Sequence, residues 1–307
     1  CCLVAQSDVI PVPIEKFPEA ANMDYLVELF VEAYRQNPTC GLIDVPAIKY
    51  NTEYQALVVD YIEDEETRFN KTVEEINTAY ELAGTITNDS MSEYDKVLAI
   101  NEYFRANCSY DTSSSATDVD IHNLSEAFLD AHAPIGILCN NYGVCESYSE
   151  AFVLVARAAG LNAMCETGTL YGGPHEWNRV QIDGKWYILD ITNNDLEEVV
   201  NGLMNVTDNQ VNGVLVPDTI SILDDSMVVA SDSSNEYYYV NGKSVDSLDE
   251  AVNKLVEQLN SNTSATLRVP VETSTEDIQA VVTAIISDKG ITLSKAYVQF
   301  GILYLSK

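Results

Sequence analysis

The dipeptide Asp183-Gly184 stands between two runs, HEWNRVQI and KWYILDIT, both rich in β-branched and aromatic residues. A two-residue Asp-Gly loop takes a type I′ turn, whose two positive φ angles match the twist of the flanking strands. That turn fixes the register. Ile182 pairs with Lys185, so His175 falls opposite Thr192 and Asp190 opposite Trp177. Positions 190 and 192 share a strand face, which makes His175 and Asp190 diagonal neighbours at ~7–8 Å between backbones, a span their side chains bridge. A three-residue loop would shift the register by one and turn Asp190 to the opposite face. The period of two runs from Asn162 to Thr192, so the hairpin belongs to an antiparallel meander.

A helix is predicted just upstream, from Cys145 to Ala159, with Gly160 as its stop. Cys145 stands where a turn containing Gly143 meets that helix. Unpaired amide N–H groups and the positive end of the helix dipole would face its sulfur, an environment that favours thiolate. With the helix packed on the sheet, Cys145, His175 and Asp190 supply a thiol nucleophile, a general base and a carboxylate that orients the base. His suits the middle role because its ordinary pKa, about 6.5, lies near neutrality. The Cys145 N–H is the natural first donor to a developing oxyanion, and the second is sought among the side chains of Asn140, Asn141 and Tyr142.

The ordered elements GVCESYSEAFVLVARAAGLNA and HEWNRVQIDGKWYILDITNND resemble the catalytic core of the transglutaminase-like superfamily of papain-like thiol enzymes, over about Asp95 to Asp195. The resemblance implies Cys145 as nucleophile, His175 as base and Asp190 as its partner. Asn107-Cys-Ser-Tyr110-Asp111 fits the segment such proteins place before the core. Trp177 fits the pattern as well, as a residue of the cleft that mainly packs. Glu146 departs from it, because many members carry a small residue there. The expected fold is α+β, a Cys-bearing helix on an antiparallel sheet, flanked by small α/β sandwich domains.

The 307 residues include 48 Asp and Glu against 16 Lys and Arg, a formal charge of −32. Such a charge repels nucleic-acid phosphates, and no basic cluster offsets it, so nucleic-acid binding is excluded. The longest apolar stretch, Ala151 to Leu161, contains Arg157 and falls short of the ~20 residues that span a bilayer. Residues 1–21 read as an extended leader and 22–90 as an α-β-β-α unit, with a helix over Met23–Gln36, strands over 41–50 and 54–61, and a long helix from Glu63 stopped by Gly84. A core over 91–235 opens with a Ser92-capped helix over 93–107, followed by a polar loop at 111–120 and a further helix over 124–132. Residues 236–307 read as a small α+β domain in the order β-α-β-α-β-β, its first strand at 236–245.

Seven cysteines form no C-x-x-C pair, which argues against structural zinc and against a complete disulfide framework. DNQVNG at 208–213 lacks an acid at the twelfth loop position, where Thr219 stands, so no metal is assigned. No glycine-rich phosphate loop occurs, and no cofactor is implied. His122 and His132 are read as surface or structural residues. Cys1, followed by a polar stretch, resembles the lipidated start of a processed bacterial lipoprotein, which would put the protein at a bacterial cell surface with a lipid on Cys1 as its membrane contact. The expected activity is acyl transfer from peptide or protein amides, cell-wall peptide among them. Hydrolysis and transamidation share the first half-reaction. The alternative is an idle, surface-anchored protein of the same fold that binds peptide or cell wall.

Overall fold

The computed structural model describes residues 1–115, 123–219 and 225–307. His122 and part of the 111–120 loop fall outside them. Strand β1 (Val9–Pro11) and helix α1 (Met23–Arg35) open the chain, followed by β2 (Lys49–Asn51), β3 (Ala56–Val58), and helices α2 (Glu65–Ile86) and α3 (Glu93–Asn107). Next come β4 (Ser109–Tyr110), α4 (Glu126–Ala131), β5 (Tyr142–Gly143) and α5 (Cys145–Ala158). Strands β6 (Asn162–Leu170), β7 (Gly173–Ile182), β8 (Lys185–Leu189), β9 (Met204–Val206) and β10 (Leu215–Pro217) form one antiparallel sheet in the order β10-β6-β7-β8-β9. The C-terminal unit holds α6 (Tyr237–Val240), α7 (Ala251–Ser261), β11 (Ser264–Arg268), α8 (Thr275–Ser287), β12 (Lys295–Gln299) and β13 (Ile302–Ser306), with sheet order β11-β13-β12. Among the described residues, no helix is long and apolar enough to cross a membrane.

Helix α5 runs through the middle of the core. Ala151, Phe152, Val155 and Ala156 are fully buried, and they meet Val97, Ile100 and Phe104 of α3, Ala79 and Ala83 of α2, and Val180, Ile182, Tyr187 and Leu189 of the sheet. The other sheet face packs Trp177, Ile188, Leu203 and Val206 against Phe300 of the C-terminal unit. The main sheet is thus covered on both sides, by helices on one and by loops and the C-terminal unit on the other.

Several expectations shift. Residues 1–21 are not a free leader: β1 pairs with β3, from Val9 opposite Val58 to Pro11 opposite Ala56, and Val12 and Ala20 are buried with Leu26 and Phe30 of α1. Helix α2 runs past Gly84 to Ile86, since a glycine at negative φ costs a helix only about 1 kcal/mol and does not end it. Its Ala79 and Ala83 sit in the main core, so α2 belongs with the core and the boundary drawn at residue 90 falls on the wrong side of it. The strands expected over 41–50 and 54–61 shrink to three residues each, the first displaced by a 3-10 turn at Val45–Ala47. The strand expected at 236–245 is the single helical turn α6, capped by Glu236, whose side chain accepts from Tyr239 N. Three consecutive tyrosines favour a strand locally, but that cap and the burial of Tyr238 between Val199 and Ile302 override the preference.

Two buried polar junctions tie the flanking units to the core. The Gln36 side chain accepts from Cys165 N at 3.1 Å and donates to Cys165 O at 2.7 Å, so one amide completes the outer edge of β6. Arg268 donates to Glu236 Oε1 at 2.9 Å, to Gly202 O at 2.8 Å and to Phe300 O, joining the C-terminal sheet to the core.

Glu75 of α2 is buried, and its Oε1 accepts from Ile135 N at 3.1 Å. Burial pushes its carboxyl up to about 8, against that bond and the nearby Lys71 charge. A carboxyl whose folded pKa is raised stabilises the fold below its unfolded pKa, about 4.3, and loses that contribution as pH rises through about 8. Glu75→Gln keeps the acceptor and removes the titration. It should therefore melt higher than wild type at pH 9 and close to it at pH 5, by calorimetry. A constant difference at both pH values would contradict this.

Candidate functional site

Asp183 and Gly184 have φ of 51° and 77°, the two positive values of a type I′ loop, and β7 pairs with β8 from Ile182 opposite Lys185 to Asn178 opposite Leu189. The register is the expected one, but the ladder stops there. Beyond Leu189 the chain leaves the sheet, and Asp190 caps a 3-10 turn at Ile191–Asn193 through its side chain, 3.3 Å from Asn193 N. His175 has its strand partner on the other side, Gly168 of β6. Contact between His175 and Asp190 is still made, at 2.8 Å from Nε2 to Oδ2, and the turn rather than a diagonal strand position delivers the carboxylate. The Asn193 amide donates to the same oxygen at 2.8 Å.

The turn is held from behind by asparagines. Asn194 donates to Asn101 Oδ1 and Asn101 donates to Asn201 Oδ1, each at 2.8 Å, while Asn194 Oδ1 accepts from Leu203 N at 2.9 Å. All three side chains are fully buried, so their bonds carry the cost of an orphaned amide if any one is lost. The sequence gives no period or motif for this set, because Asn101 lies 93 and 100 positions from the other two.

Cys145 is the first residue of α5, as expected, and Val144 at the N-cap makes no side-chain capping bond. The first amides of the helix therefore lack a cap acceptor and leave positive potential beside the sulfur. One turn further on, Ser149 Oγ donates to Trp177 O at 2.9 Å, and Asn178 Nδ2 donates to Ser149 O at 3.0 Å. The helix that carries the thiol is thereby fixed to the strand that carries the imidazole. With Nε2 turned to Asp190, Nδ1 is the ring nitrogen left free of the carboxylate, and Cys145 is near enough to act on the charge of the ring.

Burial disfavours charge on His175, but the Asp190 carboxylate and the sulfur outweigh it and raise its pKa to about 10. The ring is therefore an imidazolium at neutral pH, which differs from the near-neutral base expected of an ordinary histidine.

Among the other sequence-predicted residues, Asn140 turns its amide to Asp130 Oδ2 at 3.2 Å, away from any oxyanion role. Asn141 adopts the left-handed conformation at φ 59°, and its carbonyl accepts from Ser109 N at 3.0 Å. Trp177 is 1% exposed, donates its indole N–H to Glu166 at 2.6 Å and lies 6.1 Å from the His175 ring. It walls the imidazole and does not line an open cleft. Tyr142 lines a cavity of about 470 Å³ together with Tyr110, Asp111, Ser114 and Phe128. All seven cysteines are free, and Cys1 is exposed.

Two residues of this region escaped the sequence reading. The parallel pairing of β4 with β5 sets Tyr110 against Gly143, two positions before Cys145. Burial, followed by the charge of Cys145, pushes the Tyr110 phenol up. Tyr110 thus stays a donor through neutral pH. His132, read as a structural histidine without a carboxylate partner, lies 3.1 Å from Glu146 Oε2.

The fold is α+β: a helix that opens on a thiol, packed on an antiparallel sheet, with an imidazole–carboxylate pair at the sheet end. The sequence model of the transglutaminase-like superfamily matches residues 80–191, which include α3, α5 and the whole β6–β8 meander. Among solved structures, a TGase is similar over 46% of this chain and 41% of its own, at 23% identity and a TM-score of 0.34. A candidate cysteine protease from Cytophaga hutchinsonii is similar over 46% and 39%, at 22% identity and a TM-score of 0.30. A candidate protease from Parabacteroides distasonis follows at 47% and 33%, with 12% identity and a TM-score of 0.27. The chain thus spans well under half the length of each. No curated protein matches it.

Asp190→Asn should bring the His175 midpoint down from about 10 to the ordinary histidine range or below, because burial then acts with less opposition. Proton NMR of the imidazole measures it. A midpoint that stays near 10 in the variant would remove Asp190 as the cause.

Proposed function

We propose that the protein is a thiol acyl-transfer enzyme that acts on peptide or protein amides. The observation that carries this reading is His175, 2.8 Å from Asp190, on the strand bonded to the helix that opens at Cys145. A positive ring next to a thiol at a helix N-terminus stabilises a thiolate–imidazolium pair. The thiolate of Cys145 adds to the amide carbonyl, and the oxyanion that forms is met by the Cys145 N–H and by the Tyr110 hydroxyl, which takes the second place sought among residues 140–142. His175 then gives its proton to the leaving amine, the C–N bond breaks, and a thioester to Cys145 remains. Water or a second amine, deprotonated by the now neutral ring, releases the acyl group and restores the pair. His175 therefore acts first as an acid, since its proton is in place before the substrate arrives.

The test is amide consumption across a peptide library that includes glutamine side chains. Wild type should consume amides that Cys145→Ala leaves intact, and Tyr110→Phe should lower kcat by ~10²–10³-fold, as loss of one oxyanion donor does, with little change in KM. Iodoacetamide should label Cys145 at pH 6 much faster than a model thiol, and His175→Ala should abolish that advantage. Slow labelling equal to that of the model thiol, with no Cys145-dependent turnover, would overturn the enzymatic reading in favour of an idle binding protein.

A further inference from the structure

A second histidine–carboxylate pair is anchored on Glu146, the residue after Cys145. His132 Nδ1 is 3.1 Å from Glu146 Oε2, and its Nε2 is 2.9 Å from the Ser114 carbonyl. Both partners are acceptors. A neutral imidazole has one N–H and can satisfy one of them, whereas an imidazolium satisfies both. The ring is also covered by Phe128 of α4, at 4.6 Å between centroids, a face that favours a cation.

The two contacts join two parts of the site. Glu146 follows Cys145 on α5, and Ser114 belongs to the segment after Tyr110. That segment is braced internally, since Ser113 and Ser114 both donate their hydroxyls to Asp111. With Tyr110, it walls the cavity of about 470 Å³. The charged groups that act on His132 are Glu146 from α5 and Asp111 from the wall itself; α4 contributes the Phe128 ring.

We propose that His132 is a positioning residue: as an imidazolium it pins the 110–115 wall, and Tyr110 with it, to the helix that carries Cys145, and on losing its proton it lets go of one side. This rests on the reading of Cys145 as the nucleophile and adds a control over the geometry of its oxyanion donor. It also gives Glu146 a role, as the anchor on the helix side. The direction agrees with the environment: burial opposes charge on the ring, yet the Glu146 and Ser114 contacts raise its pKa above the ordinary value.

The experiment combines imidazole NMR, amide hydrogen exchange and kinetics on the full chain. The His132 midpoint should lie above about 6.5 in wild type and fall in Glu146→Gln. Protection factors for the amides of 111–115 should drop about tenfold as pH crosses that midpoint, the loss of one charge-assisted bond, and should be low and flat with pH in His132→Gln. The kcat of Cys145-dependent turnover should decline across the same midpoint in wild type, and His132→Gln should sit at the lower plateau throughout. A midpoint unmoved in Glu146→Gln, or equal protection on either side of it, would overturn the proposal. If no Cys145-dependent turnover exists, the nucleophile reading fails, and the exchange and NMR results still decide whether His132 pins the wall.

Discussion

The bonds between Ser149 and β7 are the constraint on which the site depends. Ser149 stands one helical turn beyond Cys145, and Asn178 stands three residues beyond His175. Ser149 donates to Trp177 O at 2.9 Å and accepts from Asn178 Nδ2 at its carbonyl, 3.0 Å, and its hydroxyl, 2.9 Å, which fixes the helix along and around its axis relative to the strand. Hydrophobic packing alone is non-directional and tolerates sliding. A buried amide and hydroxyl do not, because a slide of one residue would leave them without partners in a dry interior. The placing of Cys145 relative to His175 is therefore set by polar contacts between helix and strand, while Phe152, Val155 and Ala156 supply the burial that keeps water out of the joint.

Electrostatics gives the site its character. The chain carries a net charge of −32, yet Cys145 stands at a helix start without a side-chain cap, and the Asp190 carboxylate favours charge on His175. Behind this, Glu150 and Glu176 are buried and held toward their neutral forms, the first by burial and by Glu146, the second likewise and up to about 8. Carboxylates that keep their protons do not compete for the His175 proton or repel charge on the sulfur. Asp190 lies directly against the ring. Its place at the start of a 3-10 turn gives it an N–H and an amide as partners, so it faces the ring as an acceptor.

What could be read from the sequence followed local rules. The Asp183-Gly184 turn, the Ser92 cap and the Cys145 helix start each depend on a few adjacent residues, and each is present where expected. The pairing of His175 with Asp190 was anticipated from strand register, but the structure reaches it by ending the strand at Leu189 and turning. What could not be read depends on contacts between distant segments. The Asn101–Asn194–Asn201 set, the approach of Tyr110 to Cys145 through β4 and β5, and the pairing of His132 with Glu146 have no spacing that reports them. The same limit explains the flanks: α2 was assigned to the N-terminal unit by proximity along the chain, whereas its alanines pack in the core.

Gln36 meets the outer edge of β6 as another strand would, with its carbonyl on one backbone group of Cys165 and its amide on the other. Arg157 covers the next carbonyl along, that of Ala163, at 3.2 Å. A sheet edge left bare invites a neighbouring chain to extend it. The end of the N-terminal helix, with β10 further along the same edge, thus closes β6 to a neighbouring strand.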